Sequence, residues 1–288
     1  MGSDAEGPQH QEPRAAGDGE YLGLSHPLTP GPRLRGPSPP HPLTLLVPLM
    51  LAASALALLG SGMAREPERE RVLASFSTSL EGRQRSQKHN ATLGLEKLAN
   101  VRLAPGQVFS FNRTVGTWSR DAGYRKAPIS YNGTLISSWG GGVCQTSTTL
   151  YNAALLAGLQ VLERHRHHFC PGYVPPGRDA AVAFNTIDLS FRNPYPFPIH
   201  LRGRREADRL VMEVTAQKAP EELPHLSQQV RGERAPLTYS SGPRSDTGRL
   251  RNSGKAGYEV ATFRVWSNRR ELISVDSYPA MHRMVQYY

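Results

Sequence analysis

The sequence predicts an α+β protein: a mainly antiparallel sheet around one central helix that follows a glycine-rich turn, with an N-terminal transmembrane helix. Three observations carry this reading. Between residues 72 and 215, short apolar runs are broken by turns rich in Pro and Gly, the pattern of antiparallel strands. Gly140-Gly141-Gly142 opens a stretch whose apolar residues recur at helical spacing. Residues 43–59 are almost wholly apolar and carry no charge.

The N-terminal part comes first. With 24 Pro and 27 Gly in 288 residues, dense in residues 1–42 where no apolar period appears, that segment reads as a disordered tail. The apolar run extends to residue 64, and about 20 apolar residues cross a bilayer, so residues 43–64 read as a transmembrane anchor. A signal segment is the alternative, because Gly62-Met63-Ala64 offers small residues at peptidase spacing. Lys+Arg 34 against Asp+Glu 24 gives a net charge of +10, which suits an anionic partner. Nucleic acid is not expected, since the charges are scattered and no zinc finger, helix-turn-helix or paired-aromatic strand is present.

Residues 72–78 alternate as a short strand, and residues 83–99 place Ala91, Leu95, Leu98 and Ala99 on one helical face. After the Pro105-Gly106 turn, residues 108–111 read as a strand with Phe109 and Phe111 on the same face. Residues 127–131 and 134–136 flank Asn132-Gly133, the strongest hairpin signal in the chain. A helix follows over residues 143–157, with an apolar stripe of Leu150, Tyr151, Ala154 and Leu155, and Gly158 ends it. Residues 159–168 alternate as a strand that would put His165 and His167 on one face. Strands are expected at 180–184, 188–192, 199–202 and 210–215. Residues 72–215 thus form one domain. Residues 216–256 are poor in apolar residues and read as a linker or long loop, and residues 257–288 as a closing β-hairpin of the same domain.

Chemistry concentrates at the glycine turn. A helix beginning there presents free N–H groups and its positive dipole end, and Cys144 lies in its first turn, where a thiolate is favoured. Cys144, His167 and Asp179 occur in the order of a thiol nucleophile, a base and a carboxylate that orients the base, with His165 as alternative base. Other readings stay open. The two cysteines, Cys144 and Cys170, would form a disulfide outside the cytoplasm. His165, His167, His168, Cys170 and Cys144 include zinc-ligand types, but strand alternation turns His168 away and two arginines crowd the cluster, so neither metal nor cofactor is expected. A solvated basic strand is the plainest reading of the same residues.

Pro105-Gly106-Gln107-Val108-Phe109-Ser110-Phe111-Asn112, Val115-Gly116, Gly123-Tyr124, the run from Gly140 to Asn152, Glu163-Arg164-His165, His167, Tyr173-Val174-Pro175, Gly177, Asp179-Ala180, Asp188-Leu189 and Asn193 together resemble the VanW family. The resemblance covers roughly residues 72–205 and marks Gly140, Gly141, Gly142, Gln145, Thr148, Tyr151, Asn152, Arg164 and Tyr173 as motif or pocket residues around the site. It implies a bacterial cell-envelope protein associated by name with glycopeptide resistance: single-pass in the membrane, its main domain outside the cytoplasm, acting on or binding peptidoglycan, its precursors or another anionic envelope polymer. Amidase- or acyltransferase-like thiol chemistry is one expectation, and a non-catalytic wall-binding module with a structural Cys144 is the other. Two departures stand out: His168 replaces a common Ser, and Cys170 lacks a counterpart, which weighs against an obligatory disulfide.

Overall fold

The computed structural model describes residues 70–131, 134–243 and 247–287. The expected tail (1–42), the expected anchor (43–64) and the hairpin turn Asn132-Gly133 lie outside the described residues. Among the described residues, no helix is long and apolar enough to cross a membrane. The described chain is strand-rich α+β, with its sheets mainly antiparallel.

In chain order the elements are β1 (Arg71–Ser79), α1 (Arg85–Glu96), β2 (Val101–Leu103), β3 (Val108–Ser110), α2 (Phe111–Val115), β4 (Lys126–Tyr131), β5 (Thr134–Trp139), α3 (Val143–Leu156) and β6 (Gln160–Glu163). They continue with β7 (Ser190–Arg192), β8 (Ile199–Glu206), β9 (Arg209–Ala216), β10 (His225–Arg234), β11 (Thr238–Ser241), β12 (Gly248–Asn252), β13 (Gly257–Val265), β14 (Arg270–Tyr278) and β15 (Arg283–Tyr287). The central sheet runs β1-β9-β8-β2, every pair antiparallel. α3 and α1 pack on this sheet and on each other, and the core between them holds Leu80, Leu95, Leu98, Leu150, Tyr151, Leu155, Met212 and Val214. Smaller sheets, β3-β7-β6 and β10-β13-β14, flank this layer.

Several sequence expectations change here, each for a local reason. The strand expected at 108–111 stops at Ser110. There the Ser110 hydroxyl accepts the Arg113 N–H and Asp188 accepts the Asn112 N–H, so Phe111 opens α2 instead of sharing a strand face with Phe109. The strand expected at 159–168 ends at Glu163, after a bulge against β7. Residues 180–184 form no strand. The Ala180 carbonyl accepts the Ser147 hydroxyl and its N–H donates to Thr148 Oγ1, so helix side chains take the groups a neighbouring strand would have used. Only isolated bridges, His165 to Ala181 and Ala183 to Ile187, remain.

The segment expected to be a linker holds β10, β11 and β12. β10 pairs with β13 along its length, and β13 pairs in turn with β14 as a hairpin. Most of β10 and all of β11 are exposed and polar, so no apolar alternation announced them. β15, which pairs with β11 in parallel and β12 in antiparallel sense, was likewise not expected.

Candidate functional site

The site begins where β5 gives way to α3. Gly142 is the N-cap of α3 at φ 111°, and a Cβ there would overlap the Gln87 carbonyl of α1, so only glycine lets the turn lie this close. The Asn90 side chain holds the turn from the α1 side, donating to the Gly141 carbonyl at 2.9 Å. The Val143 and Gln145 amides bond to the Gly140 and Gly142 carbonyls, both at 3.0 Å. The Cys144 N–H between them makes no such bond among the described residues. It points from the positive end of a 14-residue helix.

Cys144 is half-buried, with its sulfur 3.4 Å from the Val182 carbonyl. Burial pushes the thiol up, yet hydrogen bonding and charge from His167 outweigh that and leave it below its ordinary range. His167 is itself held from behind. Its backbone N–H donates to Asp179 Oδ2 at 2.7 Å, and its Nδ1 lies 2.6 Å from the same oxygen. An ionised carboxylate only accepts, so Nδ1 carries the proton and Nε2 is left for the sulfur. Burial lowers the imidazolium's pKa, but Asp179 and Cys144 more than reverse this and raise it to about 9.

Asp179 is fully buried at 0% exposure, and its environment explains why it stays charged. Its other oxygen, Oδ1, accepts the Tyr278 hydroxyl at 2.5 Å and Arg164 Nη2 at 3.1 Å. Burial raises the carboxyl, but the hydrogen bond and charge of His167, with the Arg164 charge, bring it below its usual value. Arg164 also donates to the Asp179 carbonyl at 2.7 Å and pairs with Asp276 at 2.5 Å. A buried charge needs such partners, since unpaired burial costs several kcal/mol. Because Arg164 turns inward for these bonds, the β6 alternation fails at this residue.

The motif residues build the frame. Gln145 donates to Thr78 and to the Ser79 carbonyl of β1, at 3.1 and 2.7 Å. Thr148 ties Ala180 to α3, and Asn152 donates to the Thr148 and Arg178 carbonyls, both at 2.7 Å. Tyr151 is buried with its ring under Arg164, 5.5 Å from the guanidinium. The Tyr173 hydroxyl donates to the Cys144 carbonyl at 3.4 Å.

The structure therefore brings together Cys144, His167 and Asp179, and it leaves others out. His165 is exposed and bound to Glu163 at 3.0 Å, and it does not share a face with His167. His168 is exposed, packed edge-on against Phe169. Both cysteines are free, so the disulfide reading fails, and burial raises the Cys170 thiol to about 11. No cluster of three or more His, Cys, Asp or Glu able to hold a metal occurs among the described residues. Tyr278 and Asp276, both inward-facing on β14, and Arg83 were not anticipated. The signal available was the i, i+2 spacing of Asp276 and Tyr278 on one strand face.

A strand-rich α+β domain with a helix-start cysteine backed by a His–Asp pair is the class that fold and site define. The family described as VanW like protein matches residues 86–215 of this chain. The chain is 39% identical over 140 residues to the uncharacterized protein YoaR of Bacillus subtilis (strain 168), covering 49% of this chain and 46% of that protein. It is 28% identical over 145 residues to the vancomycin B-type resistance protein VanW of Enterococcus faecalis (strain ATCC 700802 / V583), covering 49% of this chain and 53% of that one. The chain thus spans about half the length of these curated relatives. No solved structure matches it. Cys144, His167, Asp179 and Arg164 lie inside the matched segment, whereas Arg83, Asp276 and Tyr278 lie outside it.

Proposed function

We propose that this is a cell-envelope protein whose VanW-like domain is a thiol enzyme of acyl-transfer or amide-hydrolysis type, acting on peptidoglycan or its precursors. The observation that carries the reading is the chain of contacts from a thiol with a lowered pKa to His167 and on to a buried, ionised Asp179. Cys144 is the nucleophile, His167 the proton carrier and Asp179 the group that orients it. The thiolate attacks an amide carbonyl, a C–S bond forms, and the developing oxyanion meets the Cys144 N–H at the helix start. The C–N bond then breaks as His167 gives its proton to the leaving amine. A second amine or water attacks the thioester, His167 takes its proton, and the thiolate is regenerated.

The envelope setting rests on the family resemblance and on the uncharged apolar run at 43–64, which would hold the domain outside the cytoplasmic membrane. A net charge of +10 suits an anionic wall. The name of the Enterococcus relative ties that protein to vancomycin resistance.

The test is intact-protein mass spectrometry of the full chain with soluble peptidoglycan fragments. The expected result is a fragment adduct on Cys144 that hydroxylamine removes and that Cys144→Ser lacks. Unaltered fragments and no adduct would favour the alternative, a wall-binding module in which Cys144 only packs against Val182.

A further inference from the structure

Against the start of α3 lies an arginine that the mechanism above does not use. Arg83 follows β1 and precedes α1. Its Nε donates to the Gln145 side chain at 3.1 Å, and Gln145 is itself pinned to Thr78 and Ser79 of β1. The guanidinium lies over the Tyr173 ring, 4.9 Å from its centre, and the Tyr173 hydroxyl reaches the Cys144 carbonyl at 3.4 Å. Arg83 is thus fixed at one nitrogen and stacked on one face, against the residue that follows Cys144 and the ring that touches it. It is half-buried, and it forms no ion pair among the described residues. Arg164 behaves differently, since it is spent on Asp179 and Asp276.

A planar guanidinium anchored through Nε keeps its two terminal nitrogens as a fork, and holding the side chain in advance removes much of the entropy cost of binding. One fork with one positive charge matches one carboxylate. Deepening the thiol reading above and resting on it, we propose that Arg83 is a specificity determinant that binds a carboxylate of the substrate close to the bond Cys144 attacks. Consecutive residues of a peptide are about 3.8 Å apart, so the carboxylate that Arg83 holds belongs to a residue near the one whose carbonyl reacts. The favoured acyl donor is then a peptide with a free carboxylate near the scissile amide, and its amidated form is a poor one.

The test uses two reagents of the same shape, 3-maleimidopropionate and its primary amide, with labelling of Cys144 followed by peptide mass spectrometry on the full chain. The native protein should prefer the anionic reagent by roughly threefold to tenfold relative to Arg83→Gln, the range of a single charge-assisted contact. Arg83→Lys, which keeps the charge and loses the fork, should retain part of that preference. An identical ratio of the two rates in native protein and R83Q, with Cys144 labelling fast, would overturn the role of Arg83 alone. Slow labelling of native Cys144 by both reagents would instead overturn the thiol reading beneath it.

Discussion

Asp179 shows how a single residue can hold a site together. Its carboxylate is fully buried, yet it accepts four contacts: two from His167 and one each from Tyr278 and Arg164. Asp179→Asn would leave Arg164 with half its counter-charge, and loss of one member of a buried pair costs about 3 kcal/mol or more. Urea unfolding at neutral pH should show a loss of that order. The pH dependence has a definite sign. His167 is raised from 6.5 to about 9, so its contribution to stability is complete below 6.5 and is lost as pH rises through 9. Cys144 is lowered from 9, so its contribution is complete above 9 and is lost as pH falls. Just below 9 the two slopes oppose each other. Stability of the native protein should therefore change less with pH there than that of Cys144→Ala, in which the elevation of His167 that Asp179 still maintains makes stability fall as pH rises.

At the scale of elements, the glycine turn and α3 were readable because their causes are local. Three glycines and a period of 3.6 need no knowledge of the partner, although the partner explains why Gly142 must be glycine. Gly142→Ala meets both the Gln87 carbonyl and a φ of 111°, and should cost about 3 kcal/mol in thermal or chemical unfolding. Residues 159–168 keep only the strand Gln160–Glu163 for the opposite reason. Their alternation is real on paper, but Arg164 leaves the pattern to reach Asp276 on β14, which is 112 residues away in sequence. β14 adds a second such tie. Tyr278→Phe keeps the ring and removes a hydroxyl that donates to Asp179 and accepts from the Gly177 N–H and Arg164, so it should destabilise the fold by roughly 1–3 kcal/mol while leaving secondary structure intact by circular dichroism.

On the scale of the whole molecule, the candidate site is assembled from segments spread over most of the described chain. Cys144 comes with α3, His167 and Asp179 with the loops after β6, Arg83 from ahead of α1, and Tyr278 and Asp276 from β14. The first three were legible as an order of residue types. The rest were not, because neither the separation of 99 residues between Asp179 and Tyr278 nor the polar faces of β10 and β11 leave a local signal. The proposed mechanism needs this assembly to hold Cys144 as a thiolate beside a protonated His167. The most direct test is the rate of Cys144 alkylation by iodoacetamide from acid to alkaline pH, in native protein and in His167→Ala. An ion pair of this kind gives reactivity that is already high at neutral pH and changes again near 9 as the imidazolium is lost, with His167→Ala about 10- to 100-fold slower at pH 7. A single rise centred in the ordinary thiol range of about 8–9, identical in both proteins, would contradict it.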